Sequence, residues 1–206
     1  MSQFFYVHPE NPQGRLMKQA ADMIHQGAVV VYPTESGYAL GCHIGDKKAL
    51  ERICKIRDIS KNHNFTLVCK DLSELSEYAR VDNSIFRLIK NNTPGAYTFV
   101  FKGTKDVPKR LLNPKKKTIG IRIPENPIAQ ALLAALEEPI MSTTLIMPGE
   151  SRAEFDPEHI RDLLEHQVDL IIDGGYLGEK PTTVIDFSEG EGEILRVGQG
   201  DPTPFE

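Results

Sequence analysis

Tryptophan is absent, cysteine occurs three times, and aromatic residues make up only 7% of the 206 positions. Cys42, Cys54 and Cys69 form an odd set with no CxxC spacing, which argues against both a disulfide framework and a zinc knuckle. They read as reduced, buried, small hydrophobes. Nowhere do about 18 apolar residues run together, as a membrane-spanning helix requires. The opening MSQFFYVHPENPQGR also lacks a basic segment followed by an apolar one, so the expected location is the cytoplasm, with no membrane partner. GxxxxGK[ST], GxGxxG, HExxH and GxSxG are all missing, which removes a P-loop, a dinucleotide fingerprint, a zinc-protease helix and a nucleophile elbow. The six histidines, His8, His25, His43, His63, His159 and His166, show no ligand spacing, and no metal site is expected from them. His63, between two asparagines, reads as a solvated loop residue first and a substrate contact second. Internal repeats, low-complexity tracts and linkers are absent, so residues 1–206 read as one domain.

Hydrophobic residues make up 40% of the chain, enough to build a core. The net charge of −5 hides an uneven distribution. Residues 80–122 hold 11 basic side chains against 2 acidic ones, whereas residues 123–206 hold 4 against 18. A middle segment at net +9 can form a positive surface, either a solvated face or a phosphate-binding one.

Leu16, Ala20, Met23 and Ile24 recur at helical spacing, and the helix should close near Gln26 before Gly27. The β-branched run Ala28–Tyr32, bounded by Pro33, reads as a strand buried on both faces. Asp46 should cap a helix that carries Lys55 and Arg57 at its C-terminal end. Alternation continues with a strand at 65–69, helices at 72–79 and 83–91, and strands at 97–102 and 118–123. Asn126-Pro127 and Asp156-Pro157 each begin a helix, with a strand near 139–144 between them. Three short strands, VDLIID, TTVIDF and EILRV, complete the chain. The predicted class is α/β: a three-layer, twisted, mixed and largely parallel sheet flanked by helices.

In such sheets ligands gather where strands end, and four places stand out. Pro33–Cys42 is small, polar and glycine-rich, reads as a loop, and offers the hydroxyls of Thr34 and Ser36. Lys55, Arg57 and Lys61 place three cations within seven residues, a set suited to a triphosphate or to a helix C-terminus. Ser142, Thr143 and Thr144 stand at a strand end, where they serve either phosphate oxygens or strand propensity. Arg122 and Arg196 each sit inside an apolar strand, where an arginine is seldom buried without an anion.

PTESGYALGC, KIRxxxK, PGAYTF, IGIRIP, the STT strand end, DGG, TTVID and ILRVG follow one another in the order of the YrdC-like family, and the chain resembles its YciO branch from about Ala28 to Gly198. The resemblance implies a YrdC-like fold with a basic cleft. It also implies a threonylcarbamoyl-AMP synthase-like nucleotidyltransferase that uses ATP, L-threonine and bicarbonate in tRNA modification. Magnesium would accompany ATP, and no tightly bound cofactor is implied. In this chain Thr34 would contact threonine or its carbamate, Lys55, Arg57, Lys61 and Ser142 the phosphates, and Thr182 and Arg196 the threonine and phosphate side. Where the family's synthases read SAN, this chain reads STT, which places Thr144 at the asparagine position. Some family members are described as binding double-stranded RNA, so the alternative expectation is a tRNA- or rRNA-binding protein without synthase activity.

Overall fold

Successive residues of the apolar run 29–32 face opposite ways: Val29 and Val31 enter one core, Val30 and Tyr32 another. A strand buried on both sides needs helices above and below it. The computed structural model describes residues 1–60 and 62–206 and has this arrangement. Its strands are β1 (Gln3–Tyr6), β2 (Val30–Thr34), β3 (Gly37–His43), β4 (Thr66–Val68), β5 (Tyr97–Lys102), β6 (Thr118–Arg122), β7 (Ile140–Thr144), β8 (Leu170–Asp173), β9 (Thr183–Asp186) and β10 (Glu193–Arg196). All join one sheet in the order β1-β8-β2-β3-β7-β4-β6-β5-β9-β10. The sheet is mixed, as expected. Its parallel pairings, however, are four against five antiparallel ones, not the majority the sequence implied.

The helices are α1 (Gly14–His25), α2 (Lys47–Arg57), α3 (Leu72–Tyr78), α4 (Asn83–Asn92), α5 (Pro127–Leu136) and α6 (Pro157–Leu164). One face is covered by α1 and α5, which pack on each other and on β2 and β3 through Met17, Ala20, Ile24, Ile128, Leu132 and Leu133. The opposite face is covered by α2, α3, α4 and α6, through residues such as Ile53, Leu75, Ile89 and Ile160. Helix starts follow their caps. Asp46 accepts from the Ala49 N–H, Asn126 from those of Ile128 and Ala129, and Asp156 from those of Glu158 and His159.

Pro33–Cys42 is not a loop. β2 runs on through Pro33 to Thr34, a two-residue turn at Glu35 and Ser36 follows, and β3 returns antiparallel with Thr34 opposite Gly37. Proline is tolerated because β2 pairs with β8 only at Val30 and Val31, so no ladder partner is lost further on. Gly37 takes φ +94° beside the turn, and a Cβ there would meet that of Ala153 at 2.6 Å. Gly41 passes so close to its neighbours that a Cβ would meet Ile140 Cγ2 at 2.6 Å and Tyr32 Cε1 at 2.9 Å. Both glycines, which made this stretch look like a loop, are there because a strand packs tightly.

A cleft lined by arginines and hydroxyls

Because α1 and α5 shield only the β2–β3 side, the same face of the sheet lies open over β4, β6, β5 and β9, and there it forms a cleft of about 440 Å³. Strand alternation builds its floor. Thr66, Thr98, Val100, Thr118, Gly120, Arg122, Ser142, Thr144, Val184 and Asp186 look into the cleft. Their neighbours Leu67, Phe99, Phe101, Ile119, Ile121, Met141 and Ile185 look into the core. Gly120 keeps the floor low, since a Cβ there would meet Thr66 Oγ1 at 3.1 Å.

Arg57 reaches the cleft from the end of α2, where it donates from Nη1 to Thr143 Oγ1 at 2.8 Å and to the Thr144 carbonyl at 2.6 Å. Its Nε is buried without a hydrogen-bond partner, and burial lowers its pKa from the usual arginine value. Thr143 Oγ1 also lies 3.0 Å from His63 Nε2. Desolvation, helped by the neighbouring charge of Arg57, holds the His63 pKa below 6.5. His63 is therefore a half-buried cleft residue rather than a solvated one.

Arg122 rises from β6 and donates to Glu35 Oε1 at 2.7 Å and to Ser36 Oγ at 2.9 Å. The side chains of this pair are 7% and 9% exposed. The anion demanded by a buried arginine is thus supplied by the β2–β3 turn itself. Arg122 Nε and Glu35 Oε2 remain buried without partners, a costly arrangement for a charged pair. Arg196 stands on the edge strand β10 and is exposed, unlike the buried strand residue expected. It donates from Nε to the Thr182 carbonyl at 2.9 Å and from Nη2 to Thr182 Oγ1 at 3.1 Å, and Thr182 in turn meets Thr98 Oγ1 at 2.8 Å. Partial desolvation, then the charge of Arg122, lowers the Arg196 pKa. Among the described residues no carboxylate forms an ion pair with Arg57 or Arg196.

Ser142 is fixed between Tyr32, whose hydroxyl lies 2.7 Å from its Oγ, and the Leu40 carbonyl, to which it donates at 3.1 Å. The structure therefore gathers Arg57, Arg122, Ser142, Thr144, Thr182 and Arg196 around one hollow. Thr34 and Lys55 do not line it. Thr34 is 1% exposed and spends its hydroxyl inside the turn, donating to the Gly37 carbonyl at 2.7 Å. Lys55 is exposed on α2, and Lys61 lies outside the described residues. His63, the secondary expectation of a substrate contact, and Lys116, from the basic run, line the cleft, as do Asn64, Thr66, Thr98, Asn113 and Asp186, which were not expected there as binding groups. Polar–apolar alternation in YTFVFK and TTVIDF was the available signal for Thr98 and Asp186. Lys116 shows nothing in sequence beyond its place in a run of three lysines.

The open mixed sheet flanked by helices, with this hollow beyond its helical cover, is the architecture of Sua5- and YciO-type α/β domains, and sequence agrees. The profile of the Sua5/YciO/YrdC family, described as "Telomere recombination", matches residues 22–198, and the chain belongs to that family. It is 64% identical over 205 residues to the uncharacterized protein YciO of Escherichia coli (strain K12), covering 100% of both chains. The crystal structure of E. coli YciO superposes with a TM-score of 0.96, again over 100% of each chain. P. abyssi Sua5 complexed with L-threonine gives a TM-score of 0.87 at 26% identity, covering 96% of this chain and 58% of that one.

Proposed function

We propose that the cleft binds ATP together with L-threonine and supports threonylcarbamoyl-AMP synthesis. The observation that carries this reading is that Arg57 and Arg196, two cations from distant elements, face one hollow without a paired carboxylate. Cations held in that way, beside Lys116 and a row of hydroxyls, suit a polyphosphate. Family membership and the L-threonine held by a Sua5 relative support the amino-acid half. On this reading, the carbamate made from threonine and bicarbonate attacks the α-phosphorus, the bond to the bridging oxygen breaks, and pyrophosphate leaves. Arg57 and Lys116 would stabilise the charge on the phosphates, while Thr182 and Arg196 would orient threonine. Asp186 is the one carboxylate among the described residues that line the cleft, and it would offer an oxygen ligand to magnesium arriving with ATP.

Purified protein incubated with ATP, L-threonine and bicarbonate should release pyrophosphate and threonylcarbamoyl-AMP. No product beside an active control synthase would overturn the synthase half of the reading. A second reading, a structured-RNA surface, is favoured by Lys105, Lys109, Lys115, Lys116 and Lys117, all exposed on the segment that borders the cleft. Duplex RNA would then bind with an affinity that falls steeply as salt rises, and a flat salt response would exclude it.

A further inference from the structure

Although sequence spacing offers no metal ligands, the fold brings three residues distant in sequence together outside the cleft lining. His25 ends α1, His43 ends β3, and Glu138 follows the residue that closes α5. One ligand atom from each lies within 4.8 Å of the others. His43 Nε2 is 2.8 Å from Glu138 Oε2, yet that buried oxygen makes no aligned hydrogen bond. The rings of His25 and His43 stand 5.9 Å apart, tilted at 51°.

We propose that His25, His43 and Glu138 form a binding site for a borderline transition-metal ion of the Zn²⁺ class. Two imidazole nitrogens and one carboxylate oxygen suit such an ion and leave a fourth position for water. Ligand atoms around one zinc lie roughly 3.3–3.5 Å apart, given bonds of about 2.0–2.1 Å. Reaching that spacing takes an opening of about half an ångström between His43 and Glu138 and an approach by the exposed His25 side chain, which rotation can supply.

The backbone is set in advance. Packing of α1 on α5 fixes the distance between His25 and Glu138. The left-handed Glu137, at φ 60°, turns the chain so that Glu138 follows directly beside the end of β3. His43 Nδ1 accepts the Gly45 N–H at 3.0 Å, which aims Nε2 toward Glu138 and puts the ring proton on Nε2. On uptake that proton moves to Nδ1, and the exposed Gly45 N–H turns to water. The ion would tie both helices of one face to β3, the strand that pairs with cleft strand β7.

The test is titration of Zn²⁺ into the full chain after chelator treatment, read by calorimetry and by the melting temperature. Wild type should take up one ion per chain and melt higher with zinc present, by mass action on the folded state. His25→Asn, at an exposed side chain, and Glu138→Gln, at a half-buried one, should each fold without zinc, lose at least about tenfold in affinity, and lose the zinc-dependent shift measured against their own metal-free melt. Uptake no tighter than about 1 mM, or equal uptake and equal melting shifts in wild type and both variants, would overturn the site.

Discussion

Arg57 holds the end of β7 with two hydrogen bonds and still presents a cation to the cleft. Lysine keeps the charge but loses the fork, so Arg57→Lys should weaken ATP binding about tenfold or more, at about 1.5–3 kcal/mol per lost charge-assisted bond. His63 gives a pH signature with a definite sign. Its folded pKa is lowered, so the unfolded chain binds more protons between that value and 6.5, and stability should rise with pH through this window. Urea melts from acid to neutral pH should show the rise, and His63→Asn should flatten it. A bound phosphate would favour the protonated ring, so affinity should move the opposite way and increase as pH falls. At position 144, a threonine hydroxyl replaces the asparagine amide of the family's synthases. Thr144→Asn should therefore raise the rate of threonylcarbamoyl-AMP formation, by up to about a hundredfold if that amide acts as one oxyanion donor does.

Elements with strong local signals matched their readings: β5 spans Tyr97–Lys102 as predicted, and α5 begins at its Asn-Pro pair. Asn126→Ala should cost about 1 kcal/mol in denaturant melts, since two N–H groups lose their acceptor. The β2–β3 hairpin was illegible because its evidence is tertiary. Glycine and proline normally break strands, and only the neighbours of Gly41 and the missing β8 partner at Pro33 show why they are accepted here. Gly41→Ala should destabilise by about 1–3 kcal/mol, and by pressing on Tyr32 it should also disturb Ser142. β1 escaped notice because four residues at a sheet edge carry too little periodicity. At two site positions the reading and the structure differ for related reasons. The hydroxyl of Thr34 and the anion of Arg122 were both taken for ligand groups, whereas the turn satisfies them internally.

At the scale of the whole molecule, no described helix is long and apolar enough to cross a membrane. The uneven charge seen in sequence also has a place. Arg122 and Lys116 bring the basic middle segment to the cleft, and Arg57 and Arg196 join them from the segments before and after it. Such convergence costs stability through repulsion between cations unless an anion settles among them, so ligand should raise the melting temperature. Calorimetric titration of ATP into wild type and into an Arg57→Ala, Arg196→Ala double variant tests this most directly. Saturable binding by wild type, with affinity at least about tenfold lower in the variant, is the predicted result. Absence of ATP binding by folded wild type, or equal affinity in both proteins, would contradict it.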